Sequence, residues 1–277
     1  MGVDGSGRPN VALELLAEGY RLGKERRDDK RTGNDDSREI PVCDLVIRSY
    51  YRDFGWLRQS LASISRWCTD FRRTIVAIPR SSYERWTHLG VETTGVEFVQ
   101  CPDFPDDYLG QQVSKLYADT LTDAELIWHV DADCIFNRTT TPAARLRAGR
   151  PTTLIEPYSS LGRHVPWREI TERFLGRATP YEFMRQPPYV FPRWLYGEVR
   201  EFCERRHGVT LAEYVLAQPP RGFSEFNALS GYAWHFHRHS FDWIDLADDD
   251  VEPLCRVFWS RTGISDSVRE EIEALLA

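Results

Sequence analysis

Hydrophobic positions along the first half of the chain alternate between two periods, and that alternation predicts its elements. Short apolar runs of strand length occur at Cys43–Arg48, Thr74–Ile78, Val96–Val99 and Leu126–Val130. Between them lie stripes of helical spacing. Positions 54, 57, 61, 64 and 67 form one, Ser81 opens a short second one, and positions 109, 113, 116, 117 and 121 within 108–121 form a third. Strand–helix alternation repeated three times predicts an α/β domain with a mostly parallel sheet and right-handed crossovers.

The second half is less regular. Thr141-Pro142 opens a short helix, 152–155 reads as a strand, and helical patches fall at 166–175 and 195–206. Apolar character resumes over 223–243, where His235, His237 and His239 alternate as on one face of a strand. Residues 257–260 read as a last strand and 265–276 as a terminal helix with acids in its first turn. Ahead of all this, 11–21 suits a short amphipathic helix and 24–39 has almost no apolar residue, so 1–40 reads as a flexible extension.

The fourth strand runs into chemistry. Leu126-Ile-Trp-His-Val is followed by Asp131 and Asp133, one residue apart. In extended chain, alternate residues project to the same side, so both carboxylates can reach one site. Acids beside a dry strand are costly without a cation. Oxygen-only ligands suit a hard divalent ion, Mg²⁺ or Mn²⁺, and open α/β sheets bind ligands at the carboxyl ends of their strands.

An apolar strand leading into Asp-x-Asp resembles the metal and nucleotide-sugar motif of GT-A glycosyltransferases. The patches VIRSYYRD (46–53), AIPRSS (77–82), GQQVSKLYAD (110–119), HVDADCIF (129–136) and FSEFNALSGY (223–232) extend the resemblance over about residues 43–262. The resemblance implies a GT-A, Rossmann-like fold with a nucleotide-sugar half (41–137) and an Arg-rich, helical acceptor half (138–277). It implies transfer from a nucleoside diphosphate sugar, UDP-sugar favoured, with Mn²⁺ or Mg²⁺ bridging the acids and the donor diphosphate. Asp133 is the implied direct ligand, and Asp131 contacts the ribose or ligates through water. Arg48, Ser49 and Tyr50 correspond to the segment that holds base and ribose, Arg80 to a base or phosphate contact, and Lys115 to a phosphate or sugar contact. A late histidine, His237 or His235, is the implied further ligand. Glu225, set between aromatics, is the implied base or acceptor contact. Look-alikes carry a second acid two residues on, where this chain has Asn227. Trp259 and the stretch 189–194 are candidates to stack on sugar or base. Two readings of another class stay open: a nucleotidyl- or phosphoryl-transferring enzyme using the same acids, and a non-catalytic saccharide or nucleic-acid binding module. No Walker-type phosphate loop is present.

Composition adds three points. The net charge of −7 is uneven: residues 138–221 carry 14 Arg against 8 Glu, a block of +6 that leaves −13 elsewhere. Such a block reads either as solvated helix surface or as a face for a phosphate-rich acceptor such as nucleic acid, and a hydroxymethylated pyrimidine in DNA is one concrete acceptor to test. No run of 18 apolar residues predicts a membrane span. Six scattered cysteines without a C-x-x-C pair, and a start lacking the apolar core of a signal peptide, predict reduced thiols in the cytoplasm.

Overall fold

The computed structural model describes residues 40–89, 95–162 and 165–277. The helix expected at 11–21 and the flexible stretch up to 39 lie outside the described residues. Five strands form the central sheet: β1 (Cys43–Arg48), β2 (Arg73–Pro79), β3 (Val96–Cys101), β4 (Leu126–Asp131) and β9 (Tyr189–Pro192), in the order β3-β2-β1-β4-β9. The first four are parallel, and β9 closes the edge antiparallel to β4. This is the mostly parallel, Rossmann-like α/β sheet expected from the sequence.

Crossovers place helices on both faces. Helices α1 (Phe54–Trp67), α2 (Arg80–Thr87) and α3 (Asp107–Leu116) join the strands. Parallel strands covered on both sides need apolar residues in both directions, and β1 supplies them. Leu45 and Ile47 pack with Leu57 and Leu61 of α1 on one side, while Val46 packs with Val113 of α3 on the other. Ser81 does not cap α2 as expected. The helix begins at Arg80 behind Pro79, and Asp103 after β3 accepts bonds from the Ser81 amide and hydroxyl instead.

The remaining elements extend one face and the base of the site. β5 (Cys134–Phe136) pairs antiparallel with β11 (Cys255–Val257). A second sheet joins β6 (Leu146–Arg147), β7 (Arg150–Pro157), β8 (Tyr181–Glu182) and β10 (Asp242–Asp245). Helices α4 (Arg168–Leu175), α5 (Arg193–His207), α6 (Leu211–Leu216) and α7 (Glu225–Phe236) build the larger core cluster with α3. The terminal helix α8 (Asp266–Leu276) buries Ile272 against Trp56 and Phe258.

The histidine run is a correction. His235 lies inside α7, His237 is the residue at its end and His239 lies in a 3-10 turn, so the three do not share a strand face. α7 is buried on all sides over Glu225–Ala233. A helix covered all round shows no apolar stripe, which is why its period is invisible in sequence.

The arginine block is a second finding. Arg138, Arg147, Arg150, Arg168, Arg173, Arg185, Arg200 and Arg205 each sit within ion-pair distance of a carboxylate. These pairs engage eight of the block's fourteen arginines, and Arg221 is among the described arginines of the block outside them. Among the described residues no helix is long and apolar enough to cross a membrane.

Candidate active site

The carboxyl ends of the parallel strands open into a cleft of about 1070 Å³. In register, Arg48 at the end of β1 is the direct neighbour of Asp131 at the end of β4. Parallel pairing therefore brings together two groups 83 residues apart in sequence, at the place where such sheets bind ligands. Both line the cleft, with Tyr50, Asp53, Asp107 and Asp133.

Each charge has a defined partner. The Arg48 guanidinium is buried and grips Asp107, the first residue of α3, through two hydrogen bonds, one of them Nη1 to Oδ2 at 2.9 Å. Such a two-point pair fixes both side chains. Lys115, two turns along α3, is fully buried. Its Nζ donates to Asp131 Oδ1 at 2.5 Å and to Glu225 Oε1 at 2.8 Å, and lies 4.8 Å from the Phe226 ring. Burial by itself would favour the neutral amine, but the two carboxylates outweigh it and hold the lysine above its ordinary value, fully charged. Asp119, the sequence neighbour that would otherwise attract Lys115, is occupied by Arg200 at 2.6 Å.

Asp133 lies two residues beyond the end of β4, in the turn into β5. Its Oδ2 accepts from the Ser260 amide at 3.0 Å, and its carbonyl accepts from the Phe258 amide at 2.9 Å. The C-terminal turn is thus fastened to the acid itself. Burial, and then the charge of Asp131, push Asp133 up to about 7. Burial and then Asp107 push Asp53 up to about 6. A carboxylate that resists ionisation beside another acid is short of positive charge.

That shortage tests the metal. Among the described residues no group of three or more His, Cys, Asp or Glu side chains is arranged to hold an ion. Two carboxylates at a cleft nonetheless fit Mg²⁺ or Mn²⁺, because such ions keep several waters and take further ligands from substrate phosphates. The donor set fits a hard ion shared between protein and diphosphate.

Several expectations shift in place or role. Glu225 is only 3% exposed and lies behind Lys115, off the cleft wall, with its own amide donating to Gln112 Oε1 at 2.9 Å. That placement does not meet the expectation of a base on an acceptor hydroxyl; it makes Glu225 a positioning residue for Lys115. Asn227, where an acid was expected, is structural: it donates to Glu182 at 2.6 Å and accepts from the Phe183 amide at 2.9 Å. Neither His235 nor His237 joins the acid pair. His237 bonds Glu198 at 2.5 Å and contacts Trp194, which lines a separate cleft of about 690 Å³. Ser49 is buried and its amide donates to Ala77 O, and Arg80 is exposed at the start of α2; neither lines the cleft. Tyr189 and Phe191 stack on Phe226 in the core, so the 189–194 stretch offers no stacking surface to the site.

Sequence reasoning missed Asp53, Asp107, Arg221 and Arg261, which all line the cleft. Asp53 was in sight as the last letter of the 46–53 patch. Arg221 and Arg261 sit in loops without periodicity and carry no sequence signal of their own.

No family profile and no curated protein sequence matches the chain. Among solved structures, it is similar to glucosyl-3-phosphoglycerate synthase from Mycobacterium tuberculosis in complex with Mn²⁺, UDP and glucosyl-3-phosphoglycerate. The identity is 12% over 88% of this chain and 85% of that one, with a TM-score of 0.44. It is also similar to the inositol-1-phosphate CTP transferase from T. maritima, at 10% identity over 86% and 97% of the two chains, with a TM-score of 0.49. The functional reading rests on the site's own geometry.

Proposed function

We propose that this chain is a metal-dependent glycosyltransferase that uses a nucleoside diphosphate sugar. One observation carries the reading: Asp131 and Asp133 stand at the carboxyl end of β4, on the wall of a cleft whose other strand ends present the Arg48–Asp107 pair. Mn²⁺ or Mg²⁺ held by Asp133, with Asp131 directly or through water, would screen the diphosphate and stabilise it as it leaves. Tyr50 and the Arg48–Asp107 pair form the wall for base and ribose. Lys115 fixes the orientation of Asp131 and adds a permanent charge behind it.

The finer reading is a UDP-sugar donor and an acceptor hydroxyl, with a hydroxymethylated pyrimidine in DNA as one acceptor to test. A base inside a duplex would have to be flipped out to reach the cleft. The test incubates the chain and Mn²⁺ with a panel of UDP-sugars and acceptors, including modified DNA, followed by mass spectrometry. Sugar addition with release of UDP supports the reading. Pyrophosphate release from a nucleoside triphosphate, without sugar transfer, would support nucleotidyl transfer by the same acids. No mass gain on any DNA removes the DNA acceptor.

A further inference from the structure

The lining of the cleft has two unlike parts. In the part built by β1, β2 and β3, polar groups are engaged with one another: Arg48 with Asp107, Ser81 with Asp103, and Arg52 with the Tyr51 hydroxyl. The rest of the lining comes from two segments: the turn after β11 contributes Trp259 and Arg261, and the loop before α7 contributes Arg221. Among the described residues neither Arg221 nor Arg261 has a carboxylate within ion-pair distance.

Three features show that these two segments are built rather than incidental. Trp259 is 77% exposed, the most exposed large hydrophobic side chain among the described residues. Its backbone is nevertheless held tightly. The amides of Phe258 and Ser260 both donate to Asp133, the Trp56 indole donates to Ser260 O at 3.2 Å, and Phe258 is buried against Trp56. A bare indole on a fixed backbone offers contact area at little entropic cost. Arg221 adopts φ 60°, in the left-handed region that few non-glycine residues occupy. The turn that holds it there closes through the Gly222 amide on Pro219 O at 2.7 Å.

We propose that Trp259, Arg261 and Arg221, which line the same cleft, form the acceptor subsite and that it takes a phosphate-bearing ring compound. The ring lies on Trp259, and Arg221 and Arg261 supply the charge for the phosphate. Aromatic stacking accepts any flat ring face, and arginine's planar fork matches phosphate oxygens. The chemistry is common to a nucleotide unit and to a free sugar phosphate. The proposal rests on the donor reading of the cleft, because it assigns the part of the lining that the donor leaves.

The test uses the full chain saturated with UDP and Mn²⁺, so that nucleotide probes cannot enter the donor half. Thymidine 5′-monophosphate, glucose 6-phosphate, thymidine and inorganic phosphate are titrated calorimetrically. A phosphorylated ring compound is expected to bind about tenfold more tightly than either thymidine or phosphate alone. Trp259→Ala should weaken it about tenfold and Trp259→Phe should restore most of that loss. Arg221→Ala and Arg261→Ala should weaken the phosphorylated probes and leave thymidine unaffected. All three side chains are exposed, and melting curves of each variant check the fold. Preference for the nucleotide over glucose 6-phosphate, or the reverse, names the source of the ring. Absence of binding by either phosphorylated probe, or binding indifferent to Trp259→Ala, overturns the proposal. If UDP with Mn²⁺ fails to bind, the donor reading falls separately, and the same titrations on the free protein decide this one by their dependence on Trp259.

Discussion

The Lys115 ammonium lies 2.5 Å from Asp131 Oδ1 and reaches Glu225 Oε1 at 2.8 Å on its other side. One buried cation thus ties α3, the end of β4 and the start of α7 to a single point beneath the cleft. The three residues are 16 and 110 positions apart along the chain, and only the sheet topology brings them together.

Removing the cation should therefore cost more than removing the whole pair. Lys115→Met leaves Glu225 buried without its counter-charge, and we expect a loss of about 3–5 kcal/mol. The double variant Lys115→Met/Glu225→Gln should recover a good part of that loss. Urea unfolding of the single and double variants measures the coupling, and additive losses would show that the two side chains do not interact.

The acid behind the metal reading gives a pH signature. Asp133 is raised to about 7 from an unfolded value near 3.8. Between these values the native state binds the extra proton, so this group's contribution is full below the unfolded value and is lost as pH rises through 7. Metal-free protein should lose stability from this source between pH 4 and 7. Asp133→Asn should remove that dependence, increase stability at pH 8 by an amount on the order of 2 kcal/mol, and raise the melting temperature there accordingly. Thermal melts across pH in chelator check both. With Mn²⁺ present the sign reverses, because the ion needs the ionised form.

His129 works in the opposite direction. It is fully buried against Tyr196, and burial together with the Lys115 charge lowers it to about 3. Here the unfolded state binds more protons between about 3 and 6.5, so stability is lost as pH falls through that window. His129→Phe should flatten the acid limb of a pH–stability curve, and an unchanged limb would contradict this account.

Much of the fold was legible because its signals are local. The strands at 43–48, 74–78, 96–99 and 126–130 and the stripes on α1 and α3 follow from apolar spacing, and they set the sheet order that makes Arg48 the neighbour of Asp131. What was illegible depends on burial or on distance. α7 hid its period because every side is covered. β9 is a short antiparallel edge within a Pro-rich stretch. The pairing of His237 with Glu198, on α5, is invisible from the local sequence, so the histidine run alone did not show where that ring is held. For the same reason the net charge of 138–221 does not show which of its arginines carry ion pairs and which stand apart from them.

The placement of His237 gives a further check. Its contacts are Glu198, Trp194 and Tyr232, away from the acid pair. His237→Ala should leave Mn²⁺-dependent UDP binding within about twofold, well under the 1.4 kcal/mol that a tenfold change represents. A loss of tenfold or more in calorimetry would restore the histidine as a ligand.

Isothermal titration of UDP into the protein, with Mn²⁺ and then with excess chelator, for the wild-type chain and for Asp133→Ala, tests the central claim most directly. Binding that requires Mn²⁺, disappears with chelator and falls at least tenfold in Asp133→Ala is the predicted result. UDP binding that is absent, or equally tight without metal and in the variant, would contradict the assignment of this carboxylate pair as the cation site of a nucleotide-sugar enzyme.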